Sequence, residues 1–165
     1  MFLSFIFSSF LLALSPGPDN IYLTALTSKS GKIAGFSFLL GLIMGCLVHT
    51  LLLAFGLNEL LIKNDIFFEI IKYVGVFYLL YLSYETYKSE ISNFYLEKNN
   101  DEIQNNFKKG VLMNLLNPKV FLFFTLFFPN FIYSETISFK FQILSLGLIF
   151  IVATFLVFGF IILFS

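Results

Sequence analysis

Long apolar runs separated by short polar stretches organise this chain. A helix needs roughly 20 predominantly apolar residues to cross the hydrocarbon of a bilayer, and by that measure the segments Met1–Thr27, Ile33–Leu57, Ile66–Tyr84, Gly110–Tyr133 and Phe141–Phe164 qualify. An unclosed sheet would leave backbone groups unpaired in lipid, so each segment is predicted to be helical. The expected fold class is therefore an all-α integral membrane protein, a polytopic helical bundle. Residues 85–109 carry most of the charge and Asn and read as a polar cytoplasmic loop or surface helix. They divide the chain into a first three-helix membrane repeat, 1–84, and a second repeat, 110–165. A three-plus-three inverted repeat requires a sixth span, so the second repeat reads as incomplete, the mark of a clipped gene product or a naturally short member.

Two of the apolar segments are interrupted. Ser15-Pro16-Gly17-Pro18-Asp19 lies within the first and Asn117-Pro118-Lys119 within the fourth. Proline removes an intrahelical hydrogen bond and clashes with the preceding turn, at a cost of about 3 kcal/mol. Such breaks persist at membrane depth only where protein or a wet cavity satisfies the freed backbone. Each also brings an ionisable side chain, and a charge at the bilayer centre costs roughly 2.5–3.5 kcal/mol on insertion scales. Lys119 is thus expected to face the interior with Asp19 as its partner, in a buried pair that is either purely structural or takes part in substrate or proton coupling. Pro18 lies about 9 residues from one end of its span and Pro118 about 8, or about 12 to 14 Å at 1.5 Å per residue. The breaks share a depth, although they are not expected at equivalent positions in the two repeats. The helix restarting at Pro18 offers free N–H groups suited to an anion. Asp19 in its first turn either caps that end or binds a substrate amine or a proton.

Gly41-x3-Gly45-x3-His49 forms a stripe on the second span. Small residues at this spacing let helices approach closely. His49 either completes that packing as a hydrogen-bonded residue or shuttles protons near neutral pH. Asn114 and Asn117 add amides beside Lys119, and Pro129-Asn130 ends or kinks the fourth span. Tyr73, Tyr78, Tyr81, Tyr84 and Tyr87 either anchor the third span at the interface or pack inside.

Composition narrows the function. With 58% hydrophobic residues the chain leaves the globular classes, and its 10 basic residues, all Lys, are balanced by 10 acidic ones, so no basic stripe for nucleic acid is expected. Lys29, Lys32, Lys88, Lys98, Lys108 and Lys109 outnumber Lys63, Lys72 and Lys140 on the alternate loops, which favours an outside N-terminus and a cytoplasmic central loop. Cys46 is alone, which excludes a disulfide framework, a CxxC pair and a multi-thiolate metal site, and disfavours a thiol or metal relay. GxxxxGK, HExxH and a Ser/His/Asp set are absent, so no enzyme, cofactor or metal is expected, and an ion gradient is the remaining energy source. Ala13-Leu14-Ser15 resembles a signal-peptide cleavage site, but no Lys precedes Lys29, and the segment is expected to remain as a membrane span.

In this order and spacing the motifs resemble the LysE/RhtB family of amino-acid exporters. The likeness is carried by Ser15-Pro16-Gly17-Pro18-Asp19, by Gly31-Lys32-Ile33-Ala34-Gly35, by Gly41, Gly45, His49 and Gly56-Leu57, by the run from Lys72 to Leu82, by Gly110 to Lys119, and by Phe128-Pro129-Asn130-Phe131. It implies a multi-pass exporter in the bacterial inner (plasma) membrane, with six helices in an inverted arrangement and a proton-motive driving force. It further implies a translocation site at Pro16, Gly17, Pro18, Asp19, Asn117, Pro118 and Lys119, to which position adds His49 and Asn114. The implied partners are an amino-acid substrate, the lipid bilayer and a coupling proton or ion, with a homo-oligomer left open. The alternative is a non-transporting or degenerate membrane subunit in which the breaks are structural.

Overall fold

The computed structural model describes residues 2–57 and 103–165, together with Tyr73, Phe77, Leu80, Tyr81 and Tyr84. The rest of the Ile66–Tyr84 span, with Tyr78, as well as Tyr87 and residues 85–102 of the polar stretch, lie outside the described residues. All regular structure among the described residues is helical. Numbered in order, the α-helices are α1 (Phe2–Leu14), α2 (Pro18–Ser30), α3 (Lys32–Leu52), α4 (Ile103–Leu115), α5 (Pro118–Leu122) and α6 (Phe139–Phe164). A π-helical turn, Leu53–Leu57, extends α3, and a second, Phe123–Phe127, follows α5 and runs into a 3-10 turn over Phe128–Phe131.

Two described helices, Lys32–Phe55 and Phe139–Phe164, are each long and apolar enough to cross a membrane unbroken. Two more crossings result if each bent pair is one span: α1 with α2, bent by 58°, and α4 with the helix Pro118–Phe131, bent by 50°. Proline chemistry explains the bends. Pro16 and Pro18 lack the N–H groups that would continue α1, leaving Pro16 and Gly17 non-helical before Pro18 opens α2 at its first position. Asn117 and Pro118 repeat the device.

Two sequence expectations gain detail. Among the described residues the helix of the fourth span is already formed at Ile103, seven residues before the expected Gly110; Asn106, Gly110 and Asn114 continue one buried face at four-residue spacing and the Ser37 hydroxyl holds the Ile103 carbonyl at 2.6 Å. Among the described residues, thirteen helical residues precede each break, Phe2–Leu14 before the first and Ile103–Leu115 before the second.

Apolar packing divides into two clusters that sit on opposite sides of the breaks. One gathers Phe5 of α1, Phe124 and Phe128 beyond the second break, and Ile143 and Phe150 of α6. The other gathers Leu23 and Leu26 of α2, Phe38 and Leu42 of α3, and Phe158 and Ile162 of α6. α3 and α4 meet most closely at Gly41 and Gly110: a Cβ on Gly41 would overlap the Phe107 carbonyl, and one on Gly110 the Phe38 carbonyl. Gly31, at φ +85, makes the left-handed turn between α2 and α3. Lys32 Nζ donates to the Leu163 carbonyl at 2.8 Å, placing a cation at the α6 C-terminus. At the opposite end, the buried Gln142 amide accepts from Tyr133 and Ser134 N–H and donates to the Ser134 and Ile137 carbonyls. Tyr73, Tyr81 and Tyr84 are helical and exposed.

Candidate functional site

The two breaks meet between the apolar clusters. A helix interrupted by proline leaves carbonyls of its last turn without partners, and in α1 these belong to Leu12, Ala13 and Ser15. Lys119 Nζ donates to Leu12 at 3.3 Å and Ser15 at 3.0 Å, and Asn20 Nδ2 donates to Ala13 at 2.9 Å. The α1 terminus is thus closed by a cation from the other half of the chain, the favourable sign at a helix C-terminus. Gly17 is what lets the ammonium in, since a Cβ there would stand 3.0 Å from Lys119 Nζ.

Asn117 joins the breaks from the other side. Its Oδ1 accepts the Lys119 backbone N–H at 3.0 Å, capping α5, and its Nδ2 donates to Asp19 Oδ1 at 2.6 Å. Asp19 and Lys119 keep 2% and 4% of their surface exposed, so both charges are removed from solvent. Asp19 is near enough to act on Lys119 by charge, while their hydrogen bonds go elsewhere: the Asn117 amide occupies the carboxylate and the α1 carbonyls occupy the ammonium. The physical reason is competition: carbonyls freed by the first break are acceptors that must also be satisfied away from water.

The second break frees a carbonyl too. Residue 118 is proline, so the Asn114 carbonyl lacks its usual partner; it accepts from Asn117 N–H at 3.1 Å, and His49 Nε2 lies 3.4 Å away. The His49 ring stacks on Phe124 at 5.4 Å between centroids. His49 therefore serves the backbone here, through a long contact. The Asn114 amide donates to Cys46 Sγ at 3.4 Å and leaves its Oδ1 buried and unpartnered. A Cβ on Gly45 would lie 2.5 Å from that oxygen, so Gly45 makes room for the Asn114 side chain.

Of the residues singled out from the sequence, Pro16, Gly17, Pro18, Asp19, Asn117, Pro118 and Lys119 come together directly, and Asn114 and His49 join them one turn away. Gly41 belongs to the α3–α4 crossing further along. Sequence reasoning missed Asn20 and Asn106, whose Oδ1 atoms are buried and unpartnered, and it missed the role of the α1 carbonyls. The signal for Asn106 was present in its four-residue spacing to Gly110 and Asn114. Among the described residues no three His, Cys, Asp or Glu side chains group as metal ligands. Chemically, the site brings together a carboxylate, an ammonium and amides, the groups needed to hold a zwitterion.

The motif set agrees with comparisons to known proteins. The chain is 31% identical over 133 residues to the uncharacterized membrane protein YrhP of Bacillus subtilis (strain 168), covering 74% of this chain and 63% of that one. It is 29% identical over 133 residues to the homoserine/homoserine lactone efflux protein of Salmonella typhi, covering 78% of this chain and 63% of that one. These alignments span less than two thirds of the curated relatives' length. No solved structure matches the chain. The LysE type translocator model matches residues 10–165, nearly the whole chain and both broken spans. This all-α polytopic membrane protein belongs to the LysE type translocator family.

Proposed function

We propose that the chain is a secondary transporter that exports amino acids or close derivatives across the bacterial plasma membrane, with the meeting point of the two breaks as its substrate site. The observation that carries this reading is the buried triad of Asp19, Asn117 and Lys119, in which the carboxylate of one half is bound to an amide of the other at 2.6 Å. In the proposed cycle Asp19 receives the substrate amine and Lys119 its carboxylate, each exchanging an internal partner for the zwitterion. Alternating access follows from rocking of one helix group against the other about the non-helical segments. Asp19, or His49 beside Asn114, carries the coupling proton. The efflux activity named for the Salmonella relative supports an amino-acid cargo.

Efflux from cells loaded with a homoserine-containing dipeptide tests the proposal. Expression of the chain should relieve growth inhibition and raise external amino acid. Asp19→Asn and Lys119→Ala should each abolish that effect while membrane levels stay normal. Wild-type efflux in both variants refutes the assigned roles. Absence of efflux in the parent, with normal insertion, favours the alternative of a non-transporting subunit whose breaks are structural, a reading that the capping of α1 by Lys119 would suit.

A further inference from the structure

Building on the transport function proposed above, we propose that Thr154 of α6 is a further substrate contact, its hydroxyl accepting a hydrogen bond from the substrate ammonium at the level of Asp19. Thr154 is 4% exposed, and its Oγ1 is buried with no hydrogen-bond partner among the described residues. Other buried hydroxyls of the bundle are spent on their own helix. Ser9 donates to Phe5, Thr27 to Leu23 and Thr50 to Cys46, each to a carbonyl four residues back at 2.7–2.8 Å. Thr154 makes no such bond to Phe150. A buried hydroxyl without a partner costs free energy, and a ligand that arrives only during turnover accounts for it.

Packing places that hydroxyl at the substrate site. Phe150, one turn before Thr154, belongs to the apolar cluster on one side of the breaks, and Phe158, one turn after, to the cluster on the other. Register gives the same level independently. α2 and α6 both end at the start of α3, α2 through Gly31 and α6 where Lys32 Nζ meets the Leu163 carbonyl, so they run in the same direction. They come together at Gly35, where an added Cβ would overlap the Thr27 hydroxyl and stand 3.2 Å from Ile162 Cγ1. Eight residues back along each helix, from Thr27 to Asp19 and from Ile162 to Thr154, is about 12 Å of rise in both. At about 3.6 residues per turn, Asp19 falls between Tyr22 and Leu23 on the buried arc of α2, and Thr154 between Phe150 and Phe158 on that of α6. Both side chains therefore point into the bundle. An ammonium carries three donors. The Asp19 carboxylate already accepts from Asn117 at Oδ1, and Thr154 Oγ1 adds an acceptor from a helix that contains neither break.

Thr154→Val exchanges the hydroxyl for a methyl of the same shape, and Thr154→Ser keeps the hydroxyl. The full chain is purified in detergent, and its thermal unfolding midpoint is followed against the concentration of L-homoserine, L-threonine, L-leucine and L-lysine, which share the ammonium. The ligand that shifts the parent most gives the dissociation constant. Without ligand, Thr154→Val should unfold at or above the parent's midpoint, because an orphaned polar group has been removed. It should bind the ligand about tenfold more weakly, the scale of one hydrogen bond to a charged group, and Thr154→Ser should bind as the parent does. A lower midpoint of ligand-free Thr154→Val shows that the hydroxyl has a structural partner and overturns the proposal. Equal dissociation constants for Thr154→Val and the parent, or Thr154→Ser as weak as Thr154→Val, overturn it while leaving the transport function in place. No shift of the parent by any of the four ligands refutes the substrate site itself, and this contact falls with it.

Discussion

Replacing Asn117 by Ala removes two contacts of different kinds. One is the α5 cap, in which Oδ1 accepts the Lys119 N–H at 3.0 Å; losing an N-cap of this type costs about 1 kcal/mol. The other is the bond to the buried Asp19 carboxylate at 2.6 Å. Interhelical hydrogen bonds in membranes average about 0.6 kcal/mol, whereas bonds to charged groups in proteins reach about 3 kcal/mol. The removal leaves a nearly fully buried carboxylate short of a partner, so the upper part of that range applies, and Asn117→Ala should destabilise by about 2–4 kcal/mol. Asn117→Ser keeps an oxygen that can cap α5 and loses the bond to Asp19, so it should recover about 1 kcal/mol of the loss. Reversible unfolding in mixed micelles, titrated with a denaturing detergent and followed by circular dichroism, measures both. Asn117→Ala within about 0.5 kcal/mol of the parent refutes the bridging role, and Asn117→Ser no better than Asn117→Ala refutes the cap.

Three further outcomes follow from the packing. Gly41→Ala places its Cβ against the Phe107 carbonyl and the Gly110 backbone, which cannot rotate away, so it should lower stability by about 1–3 kcal/mol; Gly159→Ala, with nothing within 4 Å of its Cβ, should be neutral or gain up to about 1 kcal/mol from helix propensity, and equal melting shifts for the two would contradict the crossing geometry. Gln142→Leu removes the side-chain bonds by which α6 holds residues 133–137, and amide exchange at Tyr133 and Ser134 should accelerate by about tenfold or more, the equivalent of about 1.4 kcal/mol; unchanged exchange would show that the loop is held by other means. Cys46→Ser replaces a buried thiol whose sulfur accepts from the Asn114 amide at 3.4 Å; it should leave efflux intact, and loss of efflux with normal membrane levels would revive a thiol-based function.

The helical, membrane-embedded character of the chain was legible because hydrophobic length alone decides it. Both breaks were legible because proline chemistry is local. The hydrogen bonding of Asp19 and Lys119 was not: charge complementarity suggested that they are partners, but the ammonium's hydrogen bonds go to α1 carbonyls that no residue type announces. The start of α4 was also hidden. Gln104, Asn105, Asn106, Lys108 and Lys109 make its first two turns look like loop, and that polarity masks a helix face, with Asn106 buried on it, that only packing against α3 reveals.

The closure of α1 by Lys119 constrains how the protein is made. The acceptors at Leu12 and Ser15 precede their donor by 107 and 104 residues, so these carbonyls lack that donor until the second bend has been synthesised. Until then the opening segment cannot rest alone in hydrocarbon without penalty. Formation of the second bend is what removes that penalty, so the stability of the first bend depends on residues more than a hundred positions later in the chain.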